Sequence, residues 1–211
     1  MNILLIDDHT LFAKSLEIVF QDYKEIKSFY SLQDITQVTS TIQKKQPDII
    51  LIDINLSNIS NEDGLILAKS ILTNFPDNKI VMLTGYDLPV YRYEAKKIGA
   101  KGFINKNIMP DILLKILVDI NNGKKYFSAN IKYIEKLTPK EIQILQLLCY
   151  PYKRNEISNM LHISERTISN HIQHIFDKLE VSSSLEAVIK GINVGYIQPN
   201  YKTVKKDNYN F

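Results

Sequence analysis

Residues 49–54 read IILIDI, aliphatic at every position but one. A run with no polar alternation suits a strand covered on both faces, as in a parallel sheet. Asp53 adds nothing to such a core. In an open α/β sheet, however, the carboxyl ends of the strands are where ligands sit. Three further apolar runs end in the same way. Ile3–Ile6 runs into Asp7 and Asp8, Lys79–Leu83 into Thr84, and Lys101–Asn105 into Lys106. If these strands lie side by side, three carboxylates, a hydroxyl and an amine share one edge of the sheet.

The rest of the first 120 residues supports that arrangement. Leu11–Phe20 carries apolar residues at 11, 12, 16, 19 and 20, a helical stripe. Glu25–Tyr30 reads as a short second strand. Ser31 opens the next helix, with Asp34 three residues on, and Pro47 closes it. A helix over 62–74 follows, with Leu65, Ala68, Ile71, Leu72 and Phe75 on one face. Lys79–Thr84, Val90–Ile98, Lys101–Asn105 and Pro110–Asn121 continue as strand, helix, strand and helix, Pro110 suiting a first helical turn. Five such units predict a doubly wound, five-stranded parallel sheet with right-handed crossovers, flavodoxin-like, as the first domain, 1–122.

Asn121–Lys125 is a polar break, and residues 123–136 form the expected linker. The strand pattern then stops. Thr138-Pro139-Lys140-Glu141 has an N-cap residue, a proline at the first helical position and a glutamate at the third. Helices are expected at 138–149, 153–160, 165–180 and 183–194. Ile157, Met160, Leu161, Ile163, Ile168, Ile172, Ile175 and Leu179 are their candidate core. The link Leu161–Ser164 is short, and Ser164 can cap the helix after it. This is a helix-turn-helix layout, so 137–199 is the expected all-α, four-helix second domain. Residues 200–211 lack periodicity and read as a disordered tail.

Composition narrows the function classes. The chain has 211 residues, 45% of them apolar, enough for two globular cores. No apolar run is long enough to cross a bilayer, and Asp7, Asp8 and His9 interrupt the N-terminal one before a signal-peptide core could form. A cytoplasmic protein with no membrane partner is expected. The lone Cys149 excludes an internal disulfide and sits in an apolar run as a structural thiol. Residues 1–130 carry 15 basic and 15 acidic side chains, whereas 131–211 carry 11 and 8. The whole net charge of +3 therefore lies in the C-terminal part, compatible with a nucleic-acid partner.

The polar residues at the strand ends suit phosphoryl transfer, which needs charge neutralisation and positioning more than covalent help. Asp7, Asp8 and Asp53 could together hold one Mg²⁺ through oxygen. Asp53 could itself be the nucleophile and form an aspartyl phosphate. Lys106 would then neutralise one phosphoryl oxygen and Thr84 would hydrogen-bond another. The competing reading takes Asp7 and Asp8 as a strand end and helix cap, and Lys106 as a solvated tip. Coincidence of all five at four successive strand ends favours a site.

MNILLIDDHTLF, LIDINL, VMLTG and AKGFINK together resemble the receiver domain of a bacterial two-component response regulator. LTPKEIQILQLL and NEISNMLHISERTISNHIQHIFDKLEV resemble a LuxR-type helix-turn-helix domain. Their order is that of NarL/FixJ-type response regulators, and the resemblance extends to about Pro199. It implies a receiver phosphorylated on Asp53 by a sensor histidine kinase, in control of sequence-specific DNA binding and transcription. It also implies Asp7 and Asp8 as metal ligands, Asn55 as a ligand through its backbone carbonyl, Thr84 and Lys106 as phosphoryl partners, and Phe103 as the switch aromatic. The segment LSNISNEDG departs from the family, which has a proline shortly after the acceptor and a glycine about three residues sooner than Gly64. Phe103 also lacks the hydroxyl of the commoner tyrosine.

In the second helix of the motif, Glu165, Arg166, Ser169, Asn170, Gln173, His174 and Asp177 face away from the expected core. Asn and Gln can pair bidentately with adenine. Lys153, Arg154, Arg166 and Lys178 are placed for phosphate contacts. The resemblance gives Ser169, Asn170 and Gln173 the base-reading positions, and Thr167 completes the expected DNA-binding set. Val188, Ile189 and Ile192 exceed what a three-helix core needs, so a homodimer is expected on phosphorylation or DNA binding. RNA polymerase is a candidate partner. No enzymatic output is expected beyond self-catalysed phosphorylation and dephosphorylation. Two other readings remain: a DNA-binding regulator whose receiver is only a dimerisation platform, and an aspartyl-phosphate hydrolase with a helical appendage. The hydrolase needs a second catalytic acid near Asp53, and the amide of Asn55 cannot serve.

Overall fold

The structure, a computed structural model, describes residues 1–56, 63–85, 88–127 and 137–197. The chain divides into two compact units, Met1–Asp87 with Tyr91–Lys132, and Tyr133–Phe211 with Leu88–Val90.

In the first unit, β1 (Asn2–Ile6), β2 (Ser28–Leu32), β3 (Ile49–Ile52), β4 (Lys79–Thr84) and β5 (Gly102–Asn105) form one parallel sheet, ordered β2-β1-β3-β4-β5. This is the expected doubly wound fold, with strand order reversing at β1. Its helices are α1 (Thr10–Phe20), α2 (Val38–Lys45), α3 (Gly64–Asn74), α4 (Pro89–Ile98) and α5 (Pro110–Asn121). Strand alternation sorts the core into two layers. Ile3, Leu5, Ile49, Leu51, Val81 and Leu83 meet Ala13, Leu16 and Phe20 of α1 and Leu113, Ile116, Leu117 and Ile120 of α5. Leu4, Ile6, Ile50, Ile52, Ile80 and Met82 meet Val38 and Ile42 of α2, Ala68 and Ile71 of α3 and Ala95 of α4. Every residue of β3 is buried, as its unbroken aliphatic run requires.

Most boundaries move by one or two residues; the larger departures are at the second strand, the helix after it and the linker. The second strand is Ser28–Leu32, not Glu25–Tyr30, because the chain is still turning at Ile26, whose N–H donates to the Tyr23 carbonyl. Ser31 pairs with Leu5 and Leu32 with Ile6, so Ser31 cannot open a helix. Asp34 caps instead, accepting the Thr36 N–H at 2.9 Å ahead of a short 3₁₀ turn, Ile35–Gln37. At the other edge, Tyr126 and Phe127, expected in the linker, sit against the sheet. The Phe103 N–H donates to the Tyr126 carbonyl and the Tyr126 N–H to the Lys101 carbonyl, both at 2.9 Å.

The second unit contains α6 (Pro139–Leu147), α7 (Arg154–Leu161), α8 (Glu165–Leu179) and α9 (Ser184–Val194). The Thr138–Glu141 capping box forms: the Glu141 N–H donates to Thr138 Oγ1 at 3.2 Å, and the Thr138 N–H to Glu141 Oε2 at 2.6 Å. Ile144, Leu145, Ile157, Ile168, Ile172, Ile175, Leu179 and Ala187 make the core, with Leu161 and Ile163 partly buried against it. Met160, expected there, is exposed. Glu141 is also buried and receives Lys178 Nζ at 2.8 and 3.1 Å, tying α6 to α8. The expected tail, 200–211, lies outside the described residues, and no helix among the described residues is long and apolar enough to cross a membrane.

Candidate functional site

Register brings the acids together. Ile6 pairs with Ile52, so Asp7 and Asp53 leave adjacent strands at the same level, and the Asp53 N–H donates to the Ile6 carbonyl at 3.0 Å. Thr84 pairs with Asn105, which sets Lys106 just beyond, its N–H on the Thr84 carbonyl at 2.8 Å. Asp7, Asp53 and Thr84 are buried, and the Asp8 carboxylate is fully shielded as well. Lys106 Nζ donates to Asp53 Oδ2 at 2.7 Å and lies 2.7 Å from Asp7 Oδ2, while its ammonium sits 4.8 Å above the Phe12 ring. Asp53 Oδ1 is buried with no hydrogen-bond partner among the described residues.

This electrostatic arrangement suits a cation. Burial pushes the Asp53 carboxyl above its usual range, and the charge of Asp7 adds to that. The hydrogen bond and charge of Lys106 pull the other way, helped by the Asn55 N–H, and burial wins. Oxygens of Asp7, Asp8 and Asp53 lie within 4.8 Å of one another. Three shielded carboxylates facing one lysine, with Asp53 Oδ1 lacking a hydrogen-bond partner among the described residues, are a donor set that fits a hard divalent ion. Asn55 lines the same cleft with Gly85, Asn107, Leu11 and Phe12, a space of about 690 Å³ that opens onto Asp53. A Cβ at Gly85 would meet nothing within 4 Å among the described residues.

Two residues at this site escaped the sequence reading. A Cβ at Gly64 would lie 1.8 Å from the Asp53 carbonyl oxygen, so only glycine allows α3 to start this close to the acid, with the Gly64 N–H on the Ile54 carbonyl at 2.8 Å. His9 is the other: its Nδ1 lies 2.8, 3.3 and 3.8 Å from oxygens of Asp8, Asp7 and Asp53 respectively. Its position directly after the paired acids was the available signal. Phe103 is already inside, 5% exposed, with the Arg92 guanidinium 5.9 Å from its ring centre.

In the second unit, Lys153, Arg154, Arg166, Asn170 and Gln173 are exposed, with Lys153 and Arg154 at the start of α7 and the other three on α8. Ser164 caps α8 as expected, but Thr167 is committed to that cap: its N–H donates to Ser164 Oγ at 3.1 Å. Ser169 donates to the Glu165 carbonyl at 3.0 Å, and Gln173 reaches Asp177 Oδ1 at 2.9 Å. Lys178 turns to Glu141 rather than to the outer face. On α9, Val188 and Ile192 pack partly against the core, while Ile189 and Leu185 are the exposed apolar pair.

Residues 3–118 match the response regulator receiver domain model. The chain belongs to the response regulator receiver family. Residues 135–190 match the luxR family of bacterial regulatory proteins, so this response regulator pairs a receiver with a LuxR-type DNA-binding domain. Among curated relatives, it is 25% identical to the transcriptional regulatory protein DegU of Brevibacillus brevis, over 94% of this chain and 95% of DegU. It is 28% identical to the oxygen regulatory protein NreC of Staphylococcus carnosus, over 89% of this chain and 95% of NreC. Among solved structures, the response regulator RcsB of Salmonella typhimurium superposes with a TM-score of 0.67 at 23% identity, covering 90% of this chain and 98% of RcsB. RcsB in a DNA complex gives 0.66 at 24% identity, covering 92% and 98%.

Proposed function

We propose that this response regulator accepts a phosphoryl group on Asp53 from a phosphohistidine of a sensor histidine kinase, and that the acyl phosphate controls its binding to promoter DNA. The observation that carries this reading is the convergence of Asp53, Lys106 and the two N-terminal acids at adjacent strand ends, with Asp53 Oδ1 unsatisfied. In the transfer, an Asp53 oxygen forms the new bond to phosphorus as the donor's P–N bond breaks. Lys106, already 2.7 Å from Asp53, needs only a small shift to neutralise a phosphoryl oxygen. The Thr84 hydroxyl is the donor for another. Asp7, Asp8, Asp53 and the Asn55 carbonyl would hold Mg²⁺, which supplies charge neutralisation for the incoming phosphoryl oxygens. Phe103 is buried beside Arg92, so a switch acts by repacking that ring within the β5 side of the unit.

At the DNA, Asn170 and Gln173 read base edges, with Ser169 beside them, and Lys153, Arg154 and Arg166 hold phosphates. The DNA-bound form of its structural neighbour RcsB supports a duplex as ligand. Lys178 is left out of this set because its ammonium is held by Glu141. A homodimer would place two such helices on two half-sites, with Leu185 and Ile189 of α9 as the exposed apolar contact. The test is incubation with acetyl phosphate and Mg²⁺ followed by mass spectrometry and DNA titration. The expected result is a single phosphoryl adduct at Asp53 and tighter DNA binding, both lost in Asp53→Asn. Unchanged DNA binding would favour a receiver that serves only as a platform.

A further inference from the structure

Beside the Lys106 ammonium, which has no lone pair to offer a metal, the imidazole of His9 is the nitrogen turned into the acidic site among the described residues. His9 occupies the N-cap position of α1, yet its side chain makes no capping hydrogen bond there. Instead Nδ1 lies 2.8 Å from Asp8 Oδ1, 3.3 Å from Asp7 Oδ1 and 3.8 Å from Asp53 Oδ2. One donor atom from each of these four residues fits within 4.8 Å of all the others. Ligands of an octahedral divalent ion at about 2.1 Å stand roughly 3 Å apart when adjacent and roughly 4 Å when opposite; the three distances from His9 Nδ1 lie in that range, while the whole set spreads to 4.8 Å and would draw in on an ion. The Asp53 side chain, 3% exposed, has an oxygen without a hydrogen-bond partner among the described residues. Slightly over half of the His9 ring is exposed to solvent, so the imidazole can swing onto or off an ion without disturbing the core.

We propose that His9 is a metal ligand, and that it makes this receiver favour later first-row transition ions such as Co²⁺ over Mg²⁺. An all-oxygen set suits Mg²⁺, whereas imidazole nitrogen adds affinity for borderline ions in the order Mn²⁺ < Fe²⁺ < Co²⁺ < Ni²⁺. The inference rests on the acidic site binding a divalent cation, as in the proposed function, but names which ion it selects and through which atom.

The test uses the full chain and its His9→Ala variant, in which α1 loses no cap. Mn²⁺ is added as the probe, and pulsed EPR reads nitrogen coupling to the bound ion. Calorimetric titration then gives the ratio of Co²⁺ to Mg²⁺ affinity. The expected result is an imidazole ¹⁴N signal in the natural chain that disappears in His9→Ala, with the Co²⁺ preference falling by roughly tenfold or more. A bound Mn²⁺ ion without the nitrogen signal, or an equal Co²⁺ preference in both proteins, overturns the role of His9 alone. Failure of the natural chain to take up any divalent ion overturns both this inference and the phosphoryl-transfer reading.

Discussion

Gly64 is the residue whose substitution runs most clearly against intuition. Replacing glycine by alanine at a helix start ordinarily gains about 0.5–1 kcal/mol. Here the new methyl would sit 1.8 Å from the Asp53 carbonyl oxygen, so the backbone of the acceptor must move. Gly64→Ala is expected to lower receiver stability by about 2 kcal/mol or more in urea unfolding, and to slow phosphorylation by acetyl phosphate. Glu141 gives a pH prediction. Burial alone would raise its carboxyl, but hydrogen bonds from Lys178 and Thr138 outweigh burial and hold it below the usual glutamate range. A depressed folded-state value adds stability above the ordinary carboxylate range and loses it as pH falls through the folded value. The helical unit should therefore weaken on acidification below that range. In Glu141→Gln this acid dependence should shrink, and stability at neutral pH should drop by about 2 kcal/mol or more, because Lys178 loses its buried counter-charge. Thermal unfolding followed by circular dichroism at several pH values checks both.

At the scale of the element, the strand ends were legible and the pairings between elements were not. Unbroken aliphatic runs point to buried parallel strands, and strand register then puts Asp7 beside Asp53. The second strand is short and partly exposed, so its run gave little to fix the register against β1. Glu141 read correctly as part of a local capping box, yet its bond to Lys178 spans 37 residues and no local pattern encodes it. The same distance effect pairs Lys178 with Glu141 and turns Val188 and Ile192 toward the core. His9 and Gly64 owe their places to tertiary contacts with Asp53. For α8, Arg166 is exposed and near the start of the helix. Arg166→Ala is expected to weaken binding to every duplex alike and to lower the salt slope by about one, measured by fluorescence anisotropy over a salt series. A loss confined to one base position would place Arg166 on a base edge instead.

Across the whole molecule, charge is distributed unevenly. Residues 137–197 carry six basic and six acidic side chains, so the net +3 resides in 131–136 and 198–211. A neutral reading domain gains little from long-range attraction to phosphate. Two linked copies then matter more for affinity than one. Leu185→Glu on α9 is expected to reduce dimer formation of the phosphorylated protein in sedimentation and to weaken binding to a two-half-site duplex more than to a single half-site. At the far side of the first unit, Tyr126 occupies backbone groups of Lys101 and Phe103 on the outer row of β5. Strand addition, the route by which exposed edges recruit neighbouring chains into runaway stacking, is therefore blocked at the start of that row. A protein that engages the flank at this point has to recognise side chains, since the Lys101 carbonyl and the Phe103 N–H are already matched within the chain.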